Sequence, residues 1–123
     1  MKGNNTRKTG GTGEAIALAH LERNGYAIID RNYTCVIGEI DIVAMNESDI
    51  VFIEVKSRRS SAFGTPAEAV TVKKQKKISR TALCYLKEKN LLGRPARFDV
   101  VAVTMERDEP TVEIFQNAFD FIE

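Results

Sequence analysis

The spacing of apolar residues along the chain predicts two helices. The first covers residues 13–24 and ends before Gly25, and the positions that face its core are Glu14, Ala17, Leu18 and Leu21. The second covers residues 65–90, with a break near Thr71, and its core-facing positions are Gln75, Ile78, Ala82 and either Tyr85 or Leu86. Each stripe therefore begins with a polar residue at the N-terminal end of an otherwise apolar face.

Runs of alternating or continuous apolar residues predict five strands. They are expected over residues 26–30, 39–45, 50–56, 96–105 and 111–115. In the second strand, alternation puts Ile40, Ile42 and Ala44 together on one face. The order α-β-β-β-α-β-β predicts an α/β fold in three layers, with a mixed central sheet flanked by helices. Residues 1–12 are expected to form a flexible basic arm, and residues 13–123 a single domain.

The composition narrows the class of protein. Of 123 residues, 43% are hydrophobic, which is too many for a disordered chain. No apolar run approaches the ~20 residues that a membrane helix needs, and the polar first dozen residues lack a secretory signal. We therefore expect a cytoplasmic protein without a membrane partner, whose two cysteines, Cys35 and Cys84, are reduced.

Charge is unevenly distributed although the net charge is only +1. Residues 56–80 contain eight basic residues and one acid, so this segment carries +7 and the rest of the chain carries −6. Such a segment is either a solvated helix surface or a basic face that meets phosphates. The residues expected to contact nucleic acid are Arg58, Arg59, Lys73, Lys74, Lys76, Lys77 and Arg80.

Two acids and a lysine are expected to meet on neighbouring strands. Asp41 lies on the second predicted strand, and Glu54 and Lys56 share a face of the third. Carboxylates on rigid strands are typical ligands of Mg²⁺, which would polarise a phosphodiester, while the lysine could activate water or neutralise charge. The alternative is a surface charge pair. The third strand is otherwise apolar, and charges on an interior strand need compensation by a metal, a partner or a phosphate.

These segments resemble a known nuclease motif. GEIDIVA (residues 38–44) and VFIEVKSR (residues 51–58) are similar to the metal motif of the PD-(D/E)XK nuclease superfamily. Together with GEAIALAHLERNGY, KKQKKI and RFDVVAV, they make residues 13–115 resemble the bacterial YraN-like family, which is similar to archaeal Holliday-junction resolvases and to restriction-endonuclease-like folds. The proline that precedes the first acid in the superfamily motif is replaced here by Ile40.

The resemblance implies a role for individual residues. Asp41 and Glu54 would bind Mg²⁺ or Mn²⁺ together with the backbone carbonyl of Val55, and Lys56 would be the catalytic lysine. Glu14 would be the acid of the first helix that related nucleases direct to the metal through water. Gln75 would be the polar residue that some members direct from the second helix to the active site. The fold implied is a restriction-endonuclease-like core.

Three functions remain open at this point. The first is a metal-dependent nuclease that hydrolyses phosphodiester bonds in DNA, at branched or damaged structures, as a homodimer if it resembles junction resolvases. The second is a catalytically inactive nucleic-acid-binding module of the same fold. The third is a protein-interaction module that uses the lysine-rich helix. Asp99, which interrupts an apolar strand after Arg97, is expected to form a structural salt bridge.

Overall fold

Five strands and two helices follow one another in the predicted order. The computed structural model describes residues 5–59, 70–105 and 109–123, with the backbone alone for residues 5–11. The elements are α1 (Asn5–Arg23), β1 (Ala27–Thr34), β2 (Glu39–Asn46), β3 (Asp49–Arg58), α2 (Val72–Glu88), β4 (Ala96–Thr104) and β5 (Thr111–Phe119). The helix start predicted at residues 65–68 lies outside the described residues.

The strands form a single mixed sheet in the order β1-β2-β3-β4-β5. All neighbours are antiparallel except β3 and β4, which are parallel, with Glu54 opposite Val100 and Lys56 opposite Ala102. Parallel neighbours require a crossover connection, and this connection contains α2. The sheet therefore has a hairpin half, β1 to β3, and a crossover half, β4 and β5.

Each face of the sheet packs against one helix, which confirms the three-layer α/β arrangement. On the α1 face, Ala17 and Leu21 of the helix pack with buried strand residues, namely Ile42, Ala44, Val51, Ile53, Val101 and Val103. On the α2 face, Ile78, Ala82 and Tyr85 of the helix pack with Ile40, Val43, Ile50, Phe52, Phe98 and Val100. The three inner strands, β2, β3 and β4, contribute buried residues to both faces and form the centre of the sheet.

Two strands differ from the sequence expectation. β1 continues to Thr34, beyond the predicted end at residue 30, because it pairs with β2 along its whole length around a bulge between Ile28 and Asp30. Regular alternation in β2 was a wrong expectation: Ile40 packs on the α2 face, whereas Ile42 and Ala44 pack on the α1 face. The change of face occurs at Asp41, one of the candidate site residues.

The start of α2 is set by Thr71. Its hydroxyl accepts a hydrogen bond from the backbone N–H of Lys74 at 3.1 Å, which is the usual N-cap arrangement. The break expected near Thr71 is therefore the beginning of the helix as described. At the other helix, α1 begins at Asn5, well before the predicted start at residue 13. No helix in the described segments is long and apolar enough to cross a membrane.

A buried polar network holds β4 beside the start of β1. Asp99 is fully buried and forms a salt bridge with Arg97 at 3.0 Å, which confirms the predicted structural role. Its carboxylate also accepts hydrogen bonds from the Tyr26 hydroxyl at 2.8 Å and the Asn117 N–H at 2.9 Å, and Arg97 makes a second salt bridge with Asp49 at 2.9 Å. The buried charge is thus fully hydrogen-bonded.

Candidate active site

The site begins where β2 and β3 separate. Their antiparallel pairing covers Ile42 opposite Ile53 through the turn, and Asp41 lies just beyond the last pair. Its carboxylate accepts a hydrogen bond from the backbone N–H of Val55 at 2.8 Å. Asp41 therefore replaces a missing strand-to-strand bond and is held rigidly at the opening between the strands.

Glu54 comes from the α2 face of β3 and is only 9% exposed. Its Oε2 lies 3.0 Å from the Nζ of Lys74, in the first turn of α2. The hydrogen bond to Glu54 raises the pKa of the Lys74 ammonium. A buried carboxylate is stable only with such a partner, so this ion pair compensates the charge of Glu54.

Glu14 reaches the same region from α1. The preceding Gly13 lies directly against β3, because a Cβ at position 13 would meet the side-chain hydroxyl of Ser57. Among the described side chains, the Oε2 of Glu14 is the one buried nitrogen or oxygen without a hydrogen-bond partner. An orphaned buried carboxylate oxygen is costly, and it is typical of a position that a cation or water completes.

These carboxylates line two neighbouring lobes that share Glu39 and Asp41, and we call the two lobes together the acidic cleft. The first lobe, of about 280 Å³, is lined by Gly38, Glu39, Asp41, Glu54, Lys74, Lys77 and Ile78. The second lobe, of about 360 Å³, is lined by Glu14, Asn32, Glu39, Asp41, Val55 and Ser57. Glu39 and Asp41 border both lobes, whereas Glu54 lines the first lobe and Glu14 the second.

The crowding of acids perturbs Asp41 most. Burial, followed by the charge of Glu54, raises its pKa from 3.8 to about 6, while the Val55 hydrogen bond acts in the opposite direction. The charges of Glu14 and Glu39 also raise this pKa. A carboxylate with a strongly raised pKa in a cleft is a signature of functional sites, since binding of a cation relieves the same repulsion.

A second depression, the basic pocket, adjoins the acidic cleft. Its volume is about 360 Å³, and it is lined by Ile37, Lys73, Lys76, Lys77 and Arg80. Lys77 borders both the basic pocket and the first lobe of the acidic cleft. The four cations of the basic pocket thus adjoin the acidic cleft through one shared residue, Lys77.

The other residues singled out in the sequence have varied positions. Lys56 is half-buried on β3, two residues beyond Glu54 on the same face by strand alternation. Gln75 is engaged elsewhere, because its side-chain amide donates to the Val70 carbonyl at 2.8 Å. Arg58 donates from Nε to the Thr104 hydroxyl at 3.1 Å, and Arg59 is exposed.

Sequence reasoning missed the contact of Lys74 with Glu54. A signal for Lys74 was present, since it lies four residues before Ile78 and hence on the same helix face as the buried stripe. Gln75, the next residue, lies three positions before Ile78, so the spacing of the apolar stripe of α2 fits Gln75 as well as Lys74. The structure directs Lys74, and not the Gln75 amide, to the acidic cleft.

The donor set fits a hard divalent cation. Asp41 and Glu54 provide carboxylate oxygens, Val55 a backbone carbonyl, and Glu14 an unpartnered oxygen that can hold an ion-bound water. Within residues 12–59, 70–105 and 109–123, no three His, Cys, Asp or Glu side chains are placed to hold a metal by themselves. Mg²⁺ commonly retains several waters and is held by one or two protein carboxylates, so Asp41 and Glu54 are ligands of the kind it takes.

Fold and site together define a three-layer α/β protein with an acidic cleft beside a cationic helix. The sequence places it further: residues 13–103 match Uncharacterised protein family UPF0102, and the chain belongs to this family. The matched segment contains every residue that lines the acidic cleft.

Relatives from several bacteria share most of the chain. A UPF0102 protein of Moorella thermoacetica is 50% identical over 115 residues, which cover 92% of this chain and 96% of the relative. The corresponding proteins of Geotalea uraniireducens and Syntrophus aciditrophicus are 47% and 48% identical, over 93% and 92% of this chain and 91% and 89% of their own lengths. The similarity is therefore to whole proteins of the same size.

Proposed function

We propose that this protein is a metal-dependent nuclease that hydrolyses phosphodiester bonds in DNA, at branched or damaged structures. The observation that carries the proposal is the acidic cleft itself, in which Asp41 lies between Glu54 in one lobe and Glu14, with its unpartnered oxygen, in the other, and which adjoins the basic pocket through Lys77. The resemblance of these segments to the PD-(D/E)XK motif supports the same assignment.

In this proposal each residue has a distinct task. Asp41, Glu54 and the Val55 carbonyl hold Mg²⁺ or Mn²⁺, which supplies Lewis acidity toward the phosphate oxygens. Lys56 neutralises negative charge that develops on the phosphate, or accepts a proton from the attacking water. Glu14 orients water at the edge of the cleft through its free oxygen.

The cations of the basic pocket are the reason for proposing a nucleic acid as the substrate. A phosphodiester backbone bound by Lys73, Lys76 and Arg80 would continue past Lys77, the residue shared with the acidic cleft. Contacts of this kind are made to phosphates and carry no base sequence. A cut in both strands of a symmetric junction requires two such sites, so for that substrate we propose a homodimer.

A second candidate is a nucleic-acid-binding module that no longer cuts. The observation in its favour is the ion pair between Lys74 and Glu54, because it compensates the buried carboxylate without a metal. Both candidates use the basic pocket, and they differ only in whether the acidic cleft is catalytic.

A cleavage assay separates the two candidates. Purified protein is incubated with labelled duplex, single-stranded, flap and four-way-junction DNA, and with RNA, in Mg²⁺ or Mn²⁺. Cleavage by the wild type that is lost in Glu54→Gln and Lys56→Ala, but kept in the matched exposed variant Glu113→Gln, supports the nuclease. Binding without cleavage supports the module. Affinity that hardly changes with salt argues against phosphate contacts and for a protein-interaction role.

A further inference from the structure

The β1–β2 turn carries an exposed apolar side chain next to the basic pocket. Val36 is fully exposed, while its neighbour Ile37 lines the basic pocket with the cations of α2. We call residues 35–38 the hairpin tip. A fully exposed valine contributes nothing to the core, and its position next to Ile37 makes it accessible to a ligand that the cations of the basic pocket bind.

The hairpin tip is held firmly in this position. The Cys35 N–H donates to the Gly38 carbonyl at 2.9 Å and closes the turn. Gly38 rests against α2, since a Cβ there would lie 3.0 Å from the Thr81 hydroxyl and 3.4 Å from the Lys77 side chain. On the other strand, the ring of Tyr33 packs edge-on against that of Tyr85 at 5.0 Å.

We propose that the hairpin tip is an apolar wedge that inserts between bases of a nucleic acid whose backbone lies on the basic pocket. The inference rests on the proposed function, because it assumes that the basic pocket binds phosphates. Proteins that combine phosphate contacts with an inserted apolar side chain unstack a base step and bend the nucleic acid. Val36 and Ile37 next to Lys73, Lys76 and Arg80 combine these two features.

The wedge determines which structures are preferred. Separating a stacked base step costs a few kcal/mol in an intact duplex, and much less where stacking is already interrupted. A nick, a mismatch or the branch point of a junction provides such a place. The wedge therefore selects for interrupted stacking, whereas the lysines alone would bind any phosphate backbone.

The same chemistry could suit an anionic membrane surface, but the geometry favours nucleic acid. The basic pocket adjoins the acidic cleft through Lys77, so a broad anionic lipid surface would meet the carboxylates together with the cations. A single strand of nucleic acid is narrow enough to place one phosphate among the cations of the basic pocket and the next nucleotide at the acidic cleft.

Two variants of Val36 test the wedge. Val36→Ala shortens the side chain and Val36→Phe enlarges it, and neither should alter folding because the residue is outside the core. Leu92→Ala is the matched control, since Leu92 is also an exposed apolar residue, 56% exposed, in the α2–β4 connection. Affinity is measured without divalent metal for an intact duplex, a nicked duplex and a four-way junction that carry 2-aminopurine at the interruption.

The wild type is expected to bind nicked and branched DNA about tenfold more tightly than the intact duplex and to increase 2-aminopurine fluorescence. Val36→Ala should lose most of this preference and the fluorescence change, Val36→Phe should keep both, and Leu92→Ala should match the wild type. The proposal is overturned if Val36→Ala keeps the preference, if it weakens binding to all three DNAs equally, or if the wild type prefers phosphatidylserine vesicles.

The proposed function fails in a different way. If the wild type binds none of the DNAs, or if Lys73→Ala and Arg80→Ala bind as tightly as the wild type, then the basic pocket does not bind phosphates. In that case both proposals are wrong. If DNA binding depends on Lys73 and Arg80 and is indifferent to Val36, only the wedge is wrong.

Discussion

Replacing Asp41 by asparagine should stabilise the metal-free protein at neutral pH. The charged form of Asp41 is unfavourable in the folded state, because it is buried and lies near Glu54. Asparagine has the same shape without the charge, and its amide oxygen can still accept the hydrogen bond of the Val55 N–H. The substitution therefore removes the repulsion and keeps the contact that orders the cleft.

The size and sign of the effect follow from the pKa of Asp41, which rises from 3.8 in an unperturbed carboxyl to about 6 in the fold. Within this window the folded protein binds more protons than the unfolded chain, so the free energy of unfolding falls as the pH rises. At about 1.4 kcal/mol per pH unit, the full cost of ionising Asp41 is up to about 3 kcal/mol above pH 6 and is absent near pH 4.

Urea unfolding in the presence of a chelator measures this cost directly. The free energy of unfolding of Asp41→Asn should exceed that of the wild type by up to about 3 kcal/mol near pH 8 and equal it near pH 4. The control is Asp120→Asn, the same chemical change at an exposed carboxylate, for which we expect a difference within about 0.5 kcal/mol. Added Mg²⁺ should then stabilise the wild type and leave the variant unaffected, since Asp41 is a proposed ligand.

Two results would refute the reasoning. One is a difference between Asp41→Asn and the wild type that does not change with pH, because a pH-independent effect cannot come from ionisation. The other is a variant that is less stable than the wild type near pH 8, which would mean that the charge of Asp41 strengthens its bond to Val55 by more than the burial and repulsion cost.

Three further predictions concern other groups. Lys74→Ala should raise the affinity for Mn²⁺ about fivefold to tenfold in calorimetry, because the ammonium competes with the ion for Glu54, and weaker binding would contradict this role. Asp99→Ala should lower the free energy of unfolding, measured in urea, by about 3 to 5 kcal/mol, because it leaves the guanidinium of Arg97 partly buried and without its main partner. A loss below about 1 kcal/mol would exclude a structural role for the polar network around Asp99. Burial opposes ionisation of the Cys35 thiol, but backbone N–H groups of its turn and the neighbouring Cys84 lower its pKa. Iodoacetamide should therefore label Cys35 before Cys84, as followed by mass spectrometry. The reverse order of labelling would contradict this prediction.

Much of the fold could be predicted because its strongest patterns are also its most buried elements. The third strand has an uninterrupted apolar run from Ile50 to Ile53, and every one of these residues is buried. Glu14 could be singled out because a carboxylate on an apolar helix stripe needs an explanation, and the structure places it in the acidic cleft.

The extent of β1 could not be predicted from local sequence. Residues 27–34 include Asp30, Arg31 and Asn32, and this strand pairs only with β2, at the edge of the sheet. The length of β1 is thus set by its pairing with β2. An edge strand with few buried residues has a weak apolar pattern, so its sequence does not show how far this pairing extends. The left-handed backbone of Asn32, with φ of 52°, adds an irregularity that polar residues tolerate.

The roles of Lys74 and Gln75 could not be separated for a related reason. Neighbouring helix residues differ by about 100° around the axis, and the apolar stripe fixes the rotation of a helix less precisely than that. The contact between Lys74 and Glu54 depends on this rotation and on where Thr71 starts the helix. Likewise, the change of face at Asp41 follows from the strand separation, which no alternation rule anticipates.

The single parallel pairing, between β3 and β4, has a consequence for the order of folding. The first three strands are linked by short turns and make sequence-local contacts, whereas β4 can dock only after a long loop has closed. The early hairpins already bring Asp41 and Glu54 together, before α2 delivers the ammonium of Lys74. Repulsion between Asp41 and Glu54 in the β1–β3 meander is therefore uncompensated until the crossover docks, and the cost of bringing these carboxylates together falls on the folding pathway.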